Sequence, residues 1–525
     1  MSKSRILLAG AALFITLICL SVSYPANSHR DERLHIASIW CATNDIERCR
    51  LTGEDGQSGK VYLISSDLCV PKNIEETYKR LLVKARNGVC KRENSENDKL
   101  TDSNVTSNPN FFYETPNSFA SNVSINRSEL FYKIMSFFVS ENMGRSILMM
   151  RMFNSLLFSL LITGILSTSS KKLLISFFAS LLLSANAYGF PLITSVNTSS
   201  WAVIGCTTGW PFLYTLLKTR PISLLKKLFL ILLTITTALL SIVGRSESLI
   251  FVLAIYLSVW GIVIYQQDKL MHTNLWKKSL IIALLIVFLM GLYKNTDGFE
   301  LDHVISTFKS WGSQFLLLTE PRNFFLDVGA SVKRSLLLLP RILGLENPHW
   351  QPPGAPKIVF WINSLMLLSL LKILMSWSNK IQKIFISSFV AFIFLIVTCY
   401  TFLSPQTVPF YYFRTDIFGD ELHSRYLMPL VPFALGFTVF LSKGSQIPYD
   451  KLKLRSSLII FSTFVNSICL IAAGQIFREN HSWFWVGTPM AIEVVGICGS
   501  ISFFVFAVVA FSTELINSLD FPGES

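Results

Sequence analysis

Charge is what this sequence has least of. Only 15% of its 525 residues are Asp, Glu, Lys or Arg, against roughly a quarter in soluble globular domains. A soluble domain cannot be built on so little surface charge. Metal-binding spacings are missing too. None of the nine cysteines falls in a CxxC pair and no HExxH occurs, so no metal ligand set is visible. There is no GxxxxGK[ST] loop to cradle a nucleotide phosphate, and no internal repeat that would mark a solenoid.

What the sequence has instead is hydrocarbon. Hydrophobic residues make up 51% and aromatics 13%, in apolar runs close to the ~20 residues a helix needs to cross ~30 Å of bilayer. Such runs lie at 6–25, 146–167, 173–194, 201–217, 228–243, 249–265, 279–293, 357–376, 384–403, 425–442, 456–474 and 488–512. The expected fold class is all-α: a polytopic membrane protein of about a dozen transmembrane helices. The first run reads as an uncleaved anchor. A signal peptide is the alternative, since Lys3 and Arg5 precede the apolar core and Ser21 and Ser23 follow it.

The net charge of +13 would suggest nucleic acid on a soluble protein, but its distribution argues otherwise. Lys3 and Arg5, Lys171 and Lys172, Lys226 and Lys227, Lys277 and Lys278, Lys380 and Lys383, and Lys451 and Lys453 fall on one side when the spans are counted from the N-terminus. That asymmetry predicts a plasma-membrane protein with both termini cytoplasmic. It makes membrane lipid the partner of the basic residues and excludes nucleic acid.

The chain divides accordingly into a first anchor at 1–26, a large external loop at 27–145, spans at 146–293, a second external segment at 294–356, and spans with a short cytoplasmic tail at 357–525. Within the first loop, "RENSENDKLTDSNVTSNPN" (92–110) is poor in apolar residues and reads as disorder-like. In the second segment apolar residues are interrupted by Asp302, Lys309, Arg322, Asp327, Lys333 and Arg334, a pattern suited to helices lying in the membrane interface.

The first loop opens with "SHRDERLHIASIW" (Ser28–Trp40), which sets four charges and an imidazole beside the first span. A helix starting near Ser28 would let Leu34, Ile36, Ala37, Ile39 and Trp40 rest on the membrane, with Asp31 and His35 on the wetter side. The same stretch also reads as a capping box, Ser28-x-x-Asp31, with its arginines as ordinary surface ions. Position favours chemistry. A carboxylate at the headgroup plane can take the proton of an acceptor hydroxyl, and nearby cations can stabilise a departing lipid phosphate.

Other stretches supply further candidates. Arg151 and Asn154 lie one helical turn apart just inside the second span, where an arginine must snorkel or face a polar cavity. The expectation is that it faces the cavity, with Asn154 as hydrogen-bond partner. "GRSES" (Gly244–Ser248) places Arg245 at the outer headgroup level. "FGDELHSRYLMPLVPF" clusters His423, Arg425 and Tyr426 at the mouth of a span whose first turns Pro429 and Pro432 loosen. Arg425 offers the two-pronged grip on phosphate oxygens that Lys cannot, although Arg425 and Tyr426 also suit an interfacial belt.

These motifs carry a resemblance. "RDERLHIASIW" resembles the P-x-D-E-x-x-H segment after the first span in a family of poorly characterised bacterial multi-span membrane proteins, a domain of unknown function. That family is grouped with the GT-C glycosyltransferases, which use polyprenyl-phosphate sugars. "RSILMMRMFNSLLFSLL" is similar to its R-x-x-N span, "VNTSSWAVIGCTTGWPFL" to its NPSxW entry, and "HSRYLMPLVPF" to its G-R-Y-x-x-P-x-x-P block. The motifs follow the family's order over most of the chain. His29-Arg30 replaces the proline lead-in, and Ser424 stands where the family has Gly.

The resemblance implies a GT-C-like bundle with external interfacial helices in a bacterial cytoplasmic membrane. It also implies inverting transfer of a sugar from a polyprenyl-phosphate donor to an envelope glycan or lipid. Asp31 would be the base and Glu32 its orienter or substitute, with His35, Arg151, Asn154, Arg245, His423, Arg425 and Tyr426 toward the substrate and its phosphate. No cofactor is expected beyond the lipid-linked sugar itself; a divalent metal is compatible with this chemistry, although no ligand set for one is visible. A flippase for a lipid-linked saccharide is one alternative; it would carry mid-span charges and pseudo-symmetric halves. A non-catalytic envelope scaffold is the other.

Cys41, Cys49, Cys69 and Cys90 all fall in the first loop, an even number in an exported segment. They are expected to form two disulfides, with loss of one costing about 2–5 kcal/mol. Mass spectrometry of the non-reduced protein checks this: four free thiols would place the loop on the reducing side.

Overall fold

The structure is a computed structural model. It describes residues 2–23, 32–43, 49–55, 59–65, 91–92, 112–114, 129–140, 143–184, 190–218, 223–245, 248–267, 380–403, 428–441 and 489–510. The helices are α1 (Lys3–Ser23), α2 (Glu32–Ala42), α3 (Glu129–Ser136), α4 (Met143–Thr168), α5 (Lys171–Ser184), α6 (Phe190–Thr194), α7 (Thr198–Lys218), α8 (Leu224–Gly244), α9 (Ser248–Gln267), α10 (Lys380–Leu403), α11 (Val431–Leu441) and α12 (Pro489–Ala510). Among the described residues, four helices are long and apolar enough to cross a membrane: α1, α4, α8 and α9. The chain is a helical membrane protein with several apolar spans. The expected spans 279–293, 357–376 and 456–474 and the interfacial segment 294–356 lie outside the described residues.

The bundle is organised around α7, which packs along α8 and also meets α4, α6, α9 and α11. Every residue from Thr198 to Leu217 is buried. Asn197 starts this helix: its Oδ1 accepts from the Ser199 amide at 2.8 Å, the arrangement of an N-cap. α7 and α8 approach closely because glycines face the partner backbone. A Cβ at Gly205 would run into the Thr237 carbonyl and the Ser241 hydroxyl, and one at Gly244 would sit 2.6 Å from the Thr198 carbonyl. Small residues at the crossing are how membrane helices gain packing contact when lipid is as apolar as their side chains.

Around this pair the remaining helices close the core. α1 packs on α4 and α12, so the first and last described helices are neighbours. Trp210 of α7 lies edge-on to Phe433 and Phe437 of α11, at 6.2 and 5.9 Å between ring centroids. α11 packs on α5, with Gly436 against Trp210 and Ser180.

The run 173–194, expected as one span, includes α5 and the short α6, and residues 185–189 between them lie outside the described residues. Pro191 sits in the first turn of α6, where its missing N–H costs little, whereas mid-helix it would break the ladder. Likewise α11 begins at Val431, behind a 3-10 turn at Met428–Leu430. The two prolines do loosen this entry, as the sequence suggests.

The described spans are all helical, and the first loop carries short strands beside its helices. Four strands, β1 (Cys49–Asp55), β2 (Gly59–Ser65), β3 (Lys91–Arg92) and β4 (Phe112–Glu114), form an antiparallel sheet in the order β1-β2-β4-β3. A hairpin signal was there to read: "EDGQSGKVYLIS" joins a Gly-containing turn to a short run of β-branched, aromatic and aliphatic residues.

One expectation changes at α2. Its start at Glu32 leaves Ser28 and Asp31 outside the described residues. Ile36, Ile39 and Trp40 are buried in the protein and do not lie on lipid. α3 packs against α2, and its Phe131, Tyr132 and Met135 join the same hydrophobic cluster. The cover for this apolar face comes from about 100 residues away in sequence.

The glycine seam yields a paired test. Gly205→Val forces a side chain into fixed backbone and is expected to destabilise by at least about 1–3 kcal/mol. Gly261→Ala, which has nothing within 4 Å of the added carbon, should be neutral or stabilising by roughly 0.5–1 kcal/mol. Thermal unfolding in detergent separates the two.

Candidate functional site

Four of the sequence candidates are described with their side chains, and all gather at one end of the bundle. This end holds the C-terminus of α1, the N-terminal half of α4, the α6–α7 corner and the α8–α9 turn. Its hub is "NTSSW", Asn197–Trp201.

Asn154 reaches this hub from α4. Its Nδ2 donates to the Ser195 carbonyl at 2.8 Å and to the Ser200 hydroxyl at 3.3 Å. Its Oδ1 accepts from the Trp201 indole at 2.8 Å. The side chain is fully buried and its hydrogen bonds go to the α6–α7 corner. It is therefore not the partner of Arg151 that the sequence suggested.

Arg151 is 1% exposed, so it does not snorkel. Its Nη1 donates to the Ser21 carbonyl at 3.0 Å, near the end of α1, where carbonyls lack partners within their own helix. The Ser155 hydroxyl donates to the Arg151 carbonyl at 2.8 Å and lies 3.2 Å from the Ser21 hydroxyl. α4 thus holds the end of α1, from which the chain runs on to Asp31 and Glu32.

Arg245 closes α8. Its backbone is extended, its amide donates to the Ser241 carbonyl, and its carbonyl accepts from the Ser248 amide at 2.9 Å. The half-buried guanidinium donates from Nη1 to the Ser199 hydroxyl at 3.2 Å. Two stretches chosen separately from the sequence, "RMFN" and "GRSES", therefore converge on the same five residues.

His35 lies in the layer formed by α2 and α3. Its Nδ1 is 3.0 Å from the Tyr132 hydroxyl, and the two rings stack. Next to Tyr132, Phe131 lies edge-on to Trp201 at 4.9 Å. Asp31, His423, Arg425 and Tyr426 lie outside the described residues, as does the side chain of Glu32. Among the described residues, no group of three or more His, Cys, Asp or Glu could hold a metal ion.

The family model described as "Predicted membrane protein (DUF2142)" matches residues 14–434. The chain belongs to this family. The match takes in the second half of α1, α2 through α10, the start of α11 and every candidate site residue. No curated protein and no solved structure matches the chain.

Sequence reasoning missed Tyr132, Ser199 and the bond between Trp201 and Asn154. Trp201 and Asn154 stood in two quoted motifs, but a bond across 47 positions leaves no trace in spacing. Asn154→Leu would strand the Trp201 N–H and the Ser195 carbonyl, at about 1–3 kcal/mol for each buried group left unpaired. A lowered unfolding midpoint is expected, together with a changed tryptophan emission that Trp201→Phe abolishes.

Proposed function

We propose that this protein is an inverting membrane glycosyltransferase of GT-C type. It would move a sugar from a polyprenyl-phosphate donor to a cell-envelope glycan or lipid at the outer face of the bacterial cytoplasmic membrane. The observation that carries this reading is convergence: Arg151, Arg245 and His35 belong to the end of the bundle at which α1 stops and the segment bearing Asp31 and Glu32 begins. Such an end combines membrane-edge carboxylates with cationic and imidazole groups, the set required by a reaction that generates a hydroxyl nucleophile and expels a lipid phosphate.

In this mechanism Asp31 takes the proton of the acceptor hydroxyl as its oxygen attacks the anomeric carbon. The bond from that carbon to the phosphate oxygen breaks on the opposite face, and polyprenyl phosphate leaves with the electron pair. Glu32 orients the acceptor or the base. His35, Arg245, His423, Arg425 and Tyr426 contact the phosphate or sugar. The bonds described above give Arg151 and Asn154 a supporting part: one steadies the end of α1, the other the α6–α7 corner.

Asp31→Asn tests the reading. Asn remains a good helix cap, so the variant is expected to express and insert normally, while losing general-base assistance worth about 10²- to 10⁴-fold in rate. The assay is sugar transfer from a polyprenyl-phosphate donor in reconstituted membranes. Glu32→Gln should be milder. Full transfer by both variants would remove this carboxylate pair from the chemistry.

A further inference from the structure

His35 and Asn154 are the ends of one connected chain of side chains. The imidazole meets the Tyr132 hydroxyl at 3.0 Å. Tyr132 is 5% exposed and its neighbour Phe131 is fully buried, so the α3 backbone between them cannot shift without opening the core. Phe131 rests edge-on against Trp201 at 4.9 Å, and Asn154 locks the Trp201 indole at 2.8 Å. Asn154 is tied in turn to the Ser195 carbonyl. The Tyr132 hydroxyl is thereby placed by the packed bundle, not by the loop that carries α3.

A hydroxyl held in that way is coupled to the tautomer of a neutral imidazole, because the hydrogen bond at one nitrogen sets the state of the other and a phenol can donate or accept. Two arrangements fit the heavy atoms. In one, Nδ1–H donates to the tyrosine oxygen and Nε2 is left with a lone pair, which repels phosphate. In the other, the tyrosine O–H donates to Nδ1 and the proton sits on Nε2, which can then donate to a phosphate oxygen. Only the second gives a neutral histidine any use at a lipid phosphate.

We infer that Tyr132 is a positioning residue for His35: its hydroxyl donates to Nδ1 and so fixes the proton on Nε2. The choice of tautomer rests on the reading of His35 as a phosphate contact under the proposed function, and Tyr132 itself touches no substrate. In this role Asn154 and Trp201 act at a distance, by holding the α3 segment in register over α2.

The test is nitrogen NMR of the full chain in lipid nanodiscs with 15N-histidine. His35→Gln assigns one signal among the seven histidines. At a pH where His35 is neutral, the wild type is expected to show a single Nε2–H tautomer. Tyr132→Phe, which removes only the hydroxyl, should relax it to a mixture of both. A mixture in the wild type, a single Nδ1–H form, or an unchanged spectrum in Tyr132→Phe would each overturn the inference. The wild-type spectrum stands alone if the variant folds poorly. An Nε2–H tautomer lost in Tyr132→Phe, in a protein that transfers no sugar, would leave the positioning role standing and remove the transferase reading.

Discussion

Hydrocarbon offers no hydrogen bonds, so a polar group carried into the bundle is stabilised by finding its partner within the protein. This requirement shapes the interior more than any other. The hydroxyls of Thr16, Ser21, Thr208, Thr234 and Ser241 each return to a carbonyl four residues earlier in their own helix. Larger groups cannot be satisfied locally. The amide of Asn154 and the guanidinium of Arg151 must cross to other helices, and where they cross, those helices become fixed to one another.

That is why the polar residues of this protein coincide with its joints. Asn154, Arg245 and the cap of Asn197 all fall on the same short segment at the head of α7, and Arg151 ties the end of α1 to α4. A site built on this end inherits a rigid support without needing loops of its own. The layer of α2 and α3 is joined internally by an imidazole–phenol pair and attached to the bundle through aromatic contact, so it follows the bundle beneath it.

Much of the helical architecture was legible because hydropathy and length are local properties. The runs 6–25, 146–167, 228–243 and 249–265 fall on α1, α4, α8 and α9 within a few residues. Positions where neighbours decide were less legible. The apolar face of α2 suited lipid as well as it suited α3, and only the packed structure distinguishes the two. At the site, four of the residues chosen from the sequence lie at one end of the bundle. Their partners did not follow: an arginine and an asparagine one turn apart looked like a pair, yet they face different helices.

The complete enclosure of α7 bears on how the protein enters the membrane. A helix surrounded by protein on every side is under no selection to dissolve in lipid, and α7 accordingly carries Thr198, Ser199, Ser200, Thr207, Thr208, Thr215 and Pro211. It is not among the helices apolar enough to count as a span. Emerging alone from the insertion machinery, such a segment would leave these groups facing acyl chains. Part of the cover it needs comes from α8 laid against its glycines, so a nascent chain that ends before α8 is expected to hold α7 in the bilayer less well.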